Sequence, residues 1–172
     1  MNHDHYDDAY IAGILNDVKT VAIVGASANE VRPSFFVLKY LIDKGYTVQA
    51  INPGHAGKTL YGARVLARLS DIDGPVDMVD IFRRSEHVLP IVAEALEHLE
   101  GLRTIWMQIG VRNEEAAALA KARGLNVVQD RCPKIEYQRL FGELRKGGFN
   151  TGIISSRLHF GEQRAANTAG LA

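Results

Sequence analysis

A single cysteine, Cys132, stands in this chain of 172 residues, so no disulfide can close within it and the chain suits a reducing cytosol. Long hydrophobic runs are missing as well, and nothing approaches the ~20 apolar residues that a membrane span needs. Charge of one sign is not in excess. Lys plus Arg number 20 and Asp plus Glu number 20, which leaves no electrostatic footprint for nucleic acid or an anionic membrane. The opening residues Met1-Asn2-His3-Asp4-His5-Tyr6-Asp7-Asp8 are polar and acidic, unlike a signal peptide, and a cytoplasmic location is expected. No Gly-x-Ser-x-Gly elbow is present to seat a catalytic serine.

The candidate metal and acid sites are equally thin. His3 and His5, with the acids beside them, read as a solvated N-terminus, because no strand or helix fixes a ligand geometry there. His87 and His98 are read on one helix face, about three turns apart and too distant to share a metal. Asp77 and Asp80 flank one expected strand on opposite faces and at different depths, which does not make a paired-acid site. No catalytic constellation emerges, and the expectation leans away from an enzyme.

What the chain does have is 47% apolar and 23% charged residues, ordinary for a globular protein of one domain. Strands and helices alternate in its pattern. Lys19 to Val24 reads as a strand, and Phe35, Phe36, Leu38, Leu41 and Ile42 then recur at helical spacing until Gly45. Thr47 to Ile51, Asp77 to Phe82, Arg103 to Ile109 and Asn126 to Gln129 read as further strands. Between them, Val88 to Leu99 forms a helical stripe. Asn113 can cap a helix running through Arg123, and a short helix is expected over Ile135 to Leu140. Ala9 to Leu15, after Asp7-Asp8, reads as a first helix against the outside of the sheet. Near-continuous apolar strands of this kind belong to parallel sheets covered on both faces. The expectation is an α/β, doubly wound, mainly parallel, Rossmann-like single domain of about five strands. It divides into an N-terminal helical extension (1–17), the Rossmann-like domain (18–142) and a partly disordered C-terminal extension (143–172).

The stretch Val21-Ala22-Ile23-Val24-Gly25-Ala26-Ser27-Ala28-Asn29-Glu30, followed by Arg32-Pro33-Ser34, carries the chemistry. A buried strand that turns through a glycine into a helix N-terminus is an anion site, since free N–H groups and the helix dipole point at what lies above the turn. The ligand is therefore expected to carry phosphate. A dinucleotide fingerprint needs glycine at three positions and an acid after the second strand. This chain offers Gly25, then Ser27 and Glu30, and ends its second strand on Asn52-Pro53. An NAD-dependent dehydrogenase is disfavoured. An NADP-binding oxidoreductase or redox sensor is the alternative, with Arg83 or Arg84 on the 2′-phosphate.

Taken in order, the Gly25 turn with Arg32, Asn52-Pro53-Gly54, Val79-Asp80-Ile81-Phe82-Arg83 and Trp106-Met107-Gln108-Ile109-Gly110-Val111 resemble the CoA-binding domain family. These are single-domain relatives of the N-terminal domain of the succinyl-CoA synthetase alpha subunit, and the resemblance covers roughly Val18 to Gly142. It implies coenzyme A or acyl-CoA as ligand. Gly25, Ala26 and Ser27, with Arg32, Pro33 and Ser34, would hold the phosphates, and Asn52, Pro53, Gly54 and His55 would form the loop over the nucleotide. The synthetases carry a lysine where this chain has His55, and Lys58 stands close enough to substitute. Phe82, Arg83, Gln108, Gly110 and Cys132 match further strand ends, and the place of Cys132 raises a mixed disulfide with the CoA thiol. The synthetases' phosphohistidine domain and ATP-binding part have no counterpart in this chain. The expected role is therefore a CoA- or acyl-CoA-binding module without catalysis of its own. Its partner is a small nucleotide-type ligand rather than nucleic acid or membrane. A homodimer, or a regulatory or subunit role beside an NDP-forming acyl-CoA synthetase, is the further alternative.

Overall fold

Apolar runs form the central strands because both faces of the sheet are covered. Val21, Ala22 and Ile23, Met78 to Ile81, and Ile105 to Met107 are fully shielded from solvent. The computed structural model describes residues 3–142. Along the chain run α1 (Asp8–Asp17), β1 (Thr20–Val24), α2 (Pro33–Asp43), β2 (Thr47–Ile51), β3 (Thr59–Leu60) and β4 (Ala63–Leu66). There follow β5 (Met78–Ile81), α3 (Val88–His98), β6 (Thr104–Met107), α4 (Glu114–Ala122), β7 (Asn126–Val128) and α5 (Pro133–Leu140). Single 3-10 turns lie at Pro53–His55, Leu69–Asp71 and Ser85–His87. His87 thus belongs to a 3-10 turn, and only His98 lies within α3, so the two histidines do not share a helix.

The strands lie in the order β3-β4-β2-β1-β5-β6-β7, and all neighbours are parallel except β3 and β4. The chain runs outward from β1 to β2 and β4, then returns to β5 on the other side of β1. The loops after β1 and β5 therefore part in opposite directions, which is the switch point where ligands bind in open parallel sheets. On one face Val24, Ile81, Ile105 and Met107 form a core with Val88, Val92 and Ala95 of α3 and Ala116 and Ala120 of α4. By strand alternation Val21, Ile23, Met78, Asp80 and Trp106 point to the other face, and there α2 packs on β2. This α/β, mostly parallel, Rossmann-like arrangement is the fold class expected, with seven strands where about five were read.

The two extra strands have a physical reason. β3 and β4 are joined by Tyr61 (φ 46) and Gly62 (φ 85), two positive-φ residues in a hairpin that pairs Leu60 with Ala63. A strand of two residues carries no periodic signal, and tyrosine is an unusual turn residue. Here Tyr61 is held by its hydroxyl, which donates to Asp43 Oδ1 at 2.8 Å, and by Lys39 Nζ, 5.4 Å from its ring centre.

The N-terminal segment is not a solvated tail. His3 and Tyr6 are buried. Lys121 Nζ donates to His3 Nε2 at 2.6 Å, which places the ring proton on Nδ1, facing the Tyr6 hydroxyl. Burial first, and then the Lys121 charge, hold the His3 imidazole below its usual pKa. The anchor is the open edge of β7. The Tyr6 hydroxyl accepts from the Gln129 amide at 2.7 Å, and the Tyr10 hydroxyl accepts from the Val127 amide at 3.1 Å.

The chain forms one compact unit through Lys134, and a second begins at Ile135. In the described part of the second unit, Arg139 donates through Nε and Nη2 to Glu136 Oε2 at 3.0 and 2.7 Å. The C-terminal extension expected over 143–172 lies outside the described residues. No helix among the described residues is long and apolar enough to cross a membrane.

Candidate nucleotide site

Gly25 sits at the switch point with φ +90, and a Cβ there would lie 2.9 Å from the Phe82 carbonyl oxygen. Only glycine lets the loops after β1 and β5 approach this closely. The neighbouring loops are tied together by hydrogen bonds. Gly25 and Ala26 amides donate to the Ile51 carbonyl at 2.9 and 3.2 Å, and Phe82 donates to Val24 at 2.8 Å. Asn52 Nδ2 donates to the Ala26 carbonyl at 2.7 Å, while its Oδ1 accepts from Gly54 at 3.0 Å. The Ser27 amide donates to the buried Ser34 Oγ at 3.1 Å. These bonds bring Gly25, Ala26, Ser27, Asn52 and Phe82 at the strand ends together with Ser34 of α2.

One detail departs from the sequence reading. The amides of Gly25, Ala26 and Ser27 are engaged within the protein, so they are not the groups that face an anion. The amides of Ala28, Glu30 and Ser34 make no hydrogen bond among the described residues. Pro33 begins α2, and Arg32 caps it with its backbone while its side chain is exposed. The available donors thus lie one step further along, in the loop and first turn of α2.

Beneath the switch point lies a buried acid. Asp80 is fully enclosed, and Gln108 Nε2 donates to both of its oxygens at 3.0 Å. Burial pushes the Asp80 carboxyl up to about 8, with the Gln108 bond as the opposing influence. The Gln108 side chain is consequently turned inward rather than into the open crevice. Asp77 is unlike it. Burial raises its carboxyl, but the amides of Thr20 and Lys19, with Arg103, hold it below the usual range.

Beyond the ends of β1 and β2, on the α3 side, a cleft of about 210 Å³ opens. Val24, Ile51, Leu69 and Ile91 give it apolar walls, and Pro53 lies among its lining residues. Arg83 and Arg68 bring two guanidinium groups to it, and Glu94 a carboxylate. Glu94 Oε1 accepts from the Ser70 amide at 3.2 Å. Arg68 and Glu94 were not among the sequence candidates. Arg68 directly precedes the Leu69–Asp71 turn and Glu94 lies on α3, and since no motif marks either residue, only the fold carries them to the strand ends.

The remaining candidates scatter more widely. Lys58 lies beside β4, where its carbonyl accepts from Val65 at 2.8 Å, two strands away from β1. His55 closes the 3-10 turn after Asn52, and its Nδ1 is buried without a hydrogen-bond partner. Gly110 (φ 80) donates to Asp130 Oδ1 at 2.7 Å, and that bond, with Arg112 next to it, keeps the Asp130 carboxyl low. Cys132 is buried after β7, and the Trp106 indole fixes this loop by donating to the Arg131 carbonyl at 2.8 Å.

Known proteins share this arrangement. The CoA binding domain family matches residues 19–138. The uncharacterized protein YneT of Bacillus subtilis is 40% identical over 130 residues, 75% of this chain and 93% of its own length. A solved structure from Thermus thermophilus, cell-free ID.343, is 34% identical with a TM-score of 0.74, covering 79% of this chain and 100% of its own. A hypothetical protein from Pyrococcus horikoshii OT3 is 32% identical with a TM-score of 0.75, over 83% and 97% of the two chains. With the matched segment running unbroken from β1 into α5, this chain belongs to the CoA binding domain family.

Proposed function

We propose that the protein binds coenzyme A or acyl-CoA in the cytoplasm, as a binding module that performs no chemistry by itself. The observation that carries this reading is the hydrogen-bonded union of three strand-end loops at the switch point, with the Ala28, Glu30 and Ser34 amides left unengaged beside it. A pyrophosphate accepts hydrogen bonds only, and unengaged N–H groups at a helix start supply donors without an ordering cost. Arg32 adds a forked, permanently charged donor at the same place. The Asn52–His55 loop and the cleft beneath it receive the adenosine end. The pantetheine arm runs toward Gly110 and Cys132, over the Asp80–Gln108 pair that stiffens the floor. Residues 18–142 are the binding domain, and residues 143–172 are an extension to it.

The family match supports the ligand class, and the departures from the dinucleotide fingerprint at Ser27 and Asn52 speak against NAD. Calorimetric titration of the protein with CoA, NAD and NADP tests the reading, with CoA alone expected to bind. A flat CoA titration beside a clear NADP isotherm would overturn it. Arg32→Ala should lose most of the CoA affinity without lowering the melting temperature, because its side chain is exposed.

A further inference from the structure

The cleft beyond β1 and β2 holds two guanidinium groups that the fold leaves unused. Arg68 and Arg83 form no ion pair among the described residues, although they approach the cleft from the ends of two different strands, β4 and β5. Both are exposed, so neither is there to satisfy a buried carboxylate. Glu94 is the one acid at the cleft, and it is already anchored by the Ser70 amide. Two guanidinium groups against one carboxylate leave the mouth positive, above walls formed by Val24, Ile51 and Ile91.

At about 210 Å³ the cleft is smaller than the ~300–1,000 Å³ of a pocket for a whole drug-sized ligand. It fits one end of a larger molecule: a flat, largely apolar ring with an anionic group at its edge. We infer that this end is the adenosine of CoA, with the ribose 3′-phosphate held between Arg68 and Arg83 and the adenine over the apolar walls. The inference rests on the CoA reading above and deepens it. These two arginines, rather than the β1–α2 turn, select CoA over its dephospho form. The turn reads a pyrophosphate that both molecules carry, whereas the arginines read the phosphate that only one carries. Glu94, with an oxygen to spare, accepts from the exocyclic amine of the adenine.

The test is titration of the intact protein with CoA and with 3′-dephospho-CoA. A charge-assisted arginine–phosphate pair at an exposed rim gives an expected preference for CoA of about tenfold. Arg68→Ala and Arg83→Ala should each narrow that preference. The double variant should abolish it while leaving the dephospho-CoA affinity where it was. Equal affinity of the unaltered protein for the two ligands overturns the inference and leaves the CoA reading standing. Failure of both ligands to bind overturns the CoA reading as well. Competition with the two adenosine bisphosphates gives an independent check. Tighter binding of the 2′,5′ isomer than of the 3′,5′ isomer would assign the cleft to an NADP-type ligand and overturn the inference. Thermal melts of each variant should match the unaltered protein, since neither side chain is buried.

Discussion

Asp80 is a carboxyl group enclosed between Ile23 on β1 and Trp106 on β6, with Gln108 as the hydrogen-bond partner of both oxygens. Its pKa in the folded protein is about 8, against an ordinary value of 3.8. Between those values the folded state holds a proton that the unfolded chain has released. Stability from this group is therefore fully present below about pH 3.8 and declines as pH rises through about 8. Asp80→Asn removes that linkage. The melting-temperature advantage of the variant should widen steadily from pH 5 to pH 8, and an offset that stays constant with pH would refute the assignment. Gly25→Ala meets a different obstacle. A methyl group at φ +90, 2.9 Å from the Phe82 oxygen, should cost at least about 2 kcal/mol in urea unfolding, because it forces the β1 and β5 loops apart. Gly25 was legible from the sequence as a tight turn. Asp80 was visible only as an acid inside an apolar run, and its partner was not.

Helices and central strands were the elements most open to sequence reading, each for a local reason. Pro33 starts α2, and Asn113 caps α4 with its Oδ1 accepting from Ala116 at 2.9 Å, both where composition placed them. The edges of the sheet were not open in this way. The β3–β4 hairpin is too short to show a period, and the guard on β7 depends on tyrosines more than a hundred residues away in sequence. That guard supplies a prediction. Tyr6→Phe leaves the buried Gln129 amide without its acceptor and should cost about 1–3 kcal/mol in chemical denaturation. Hydrogen exchange at Gln129 should quicken in the same variant. An unchanged exchange rate would show that the N-terminal segment does not seal this edge.

A ligand that binds only the folded protein stabilises it by mass action. CoA at a hundredfold its dissociation constant should add about 2.7 kcal/mol to the unfolding free energy, and dephospho-CoA at the same concentration should add less. A thermal-shift series over ligand concentration measures this. A melting temperature indifferent to CoA would argue against the proposed function. The alternation of apolar strands with capped helices, the glycine at the first turn and the balance of charge are all local or summed properties of the residues. The sequence by itself therefore determined a parallel α/β sheet and membership of the CoA binding domain family. Which amides remain available, and which distant arginines share a cleft, depends on long-range hydrogen bonds and on strand order. Ser34 takes the Ser27 amide, Asn52 grips Ala26, and the β3–β4 hairpin carries Arg68 to the end of the sheet. Those pairings exist only once residues far apart along the chain are packed side by side, and so the tertiary structure alone decided them.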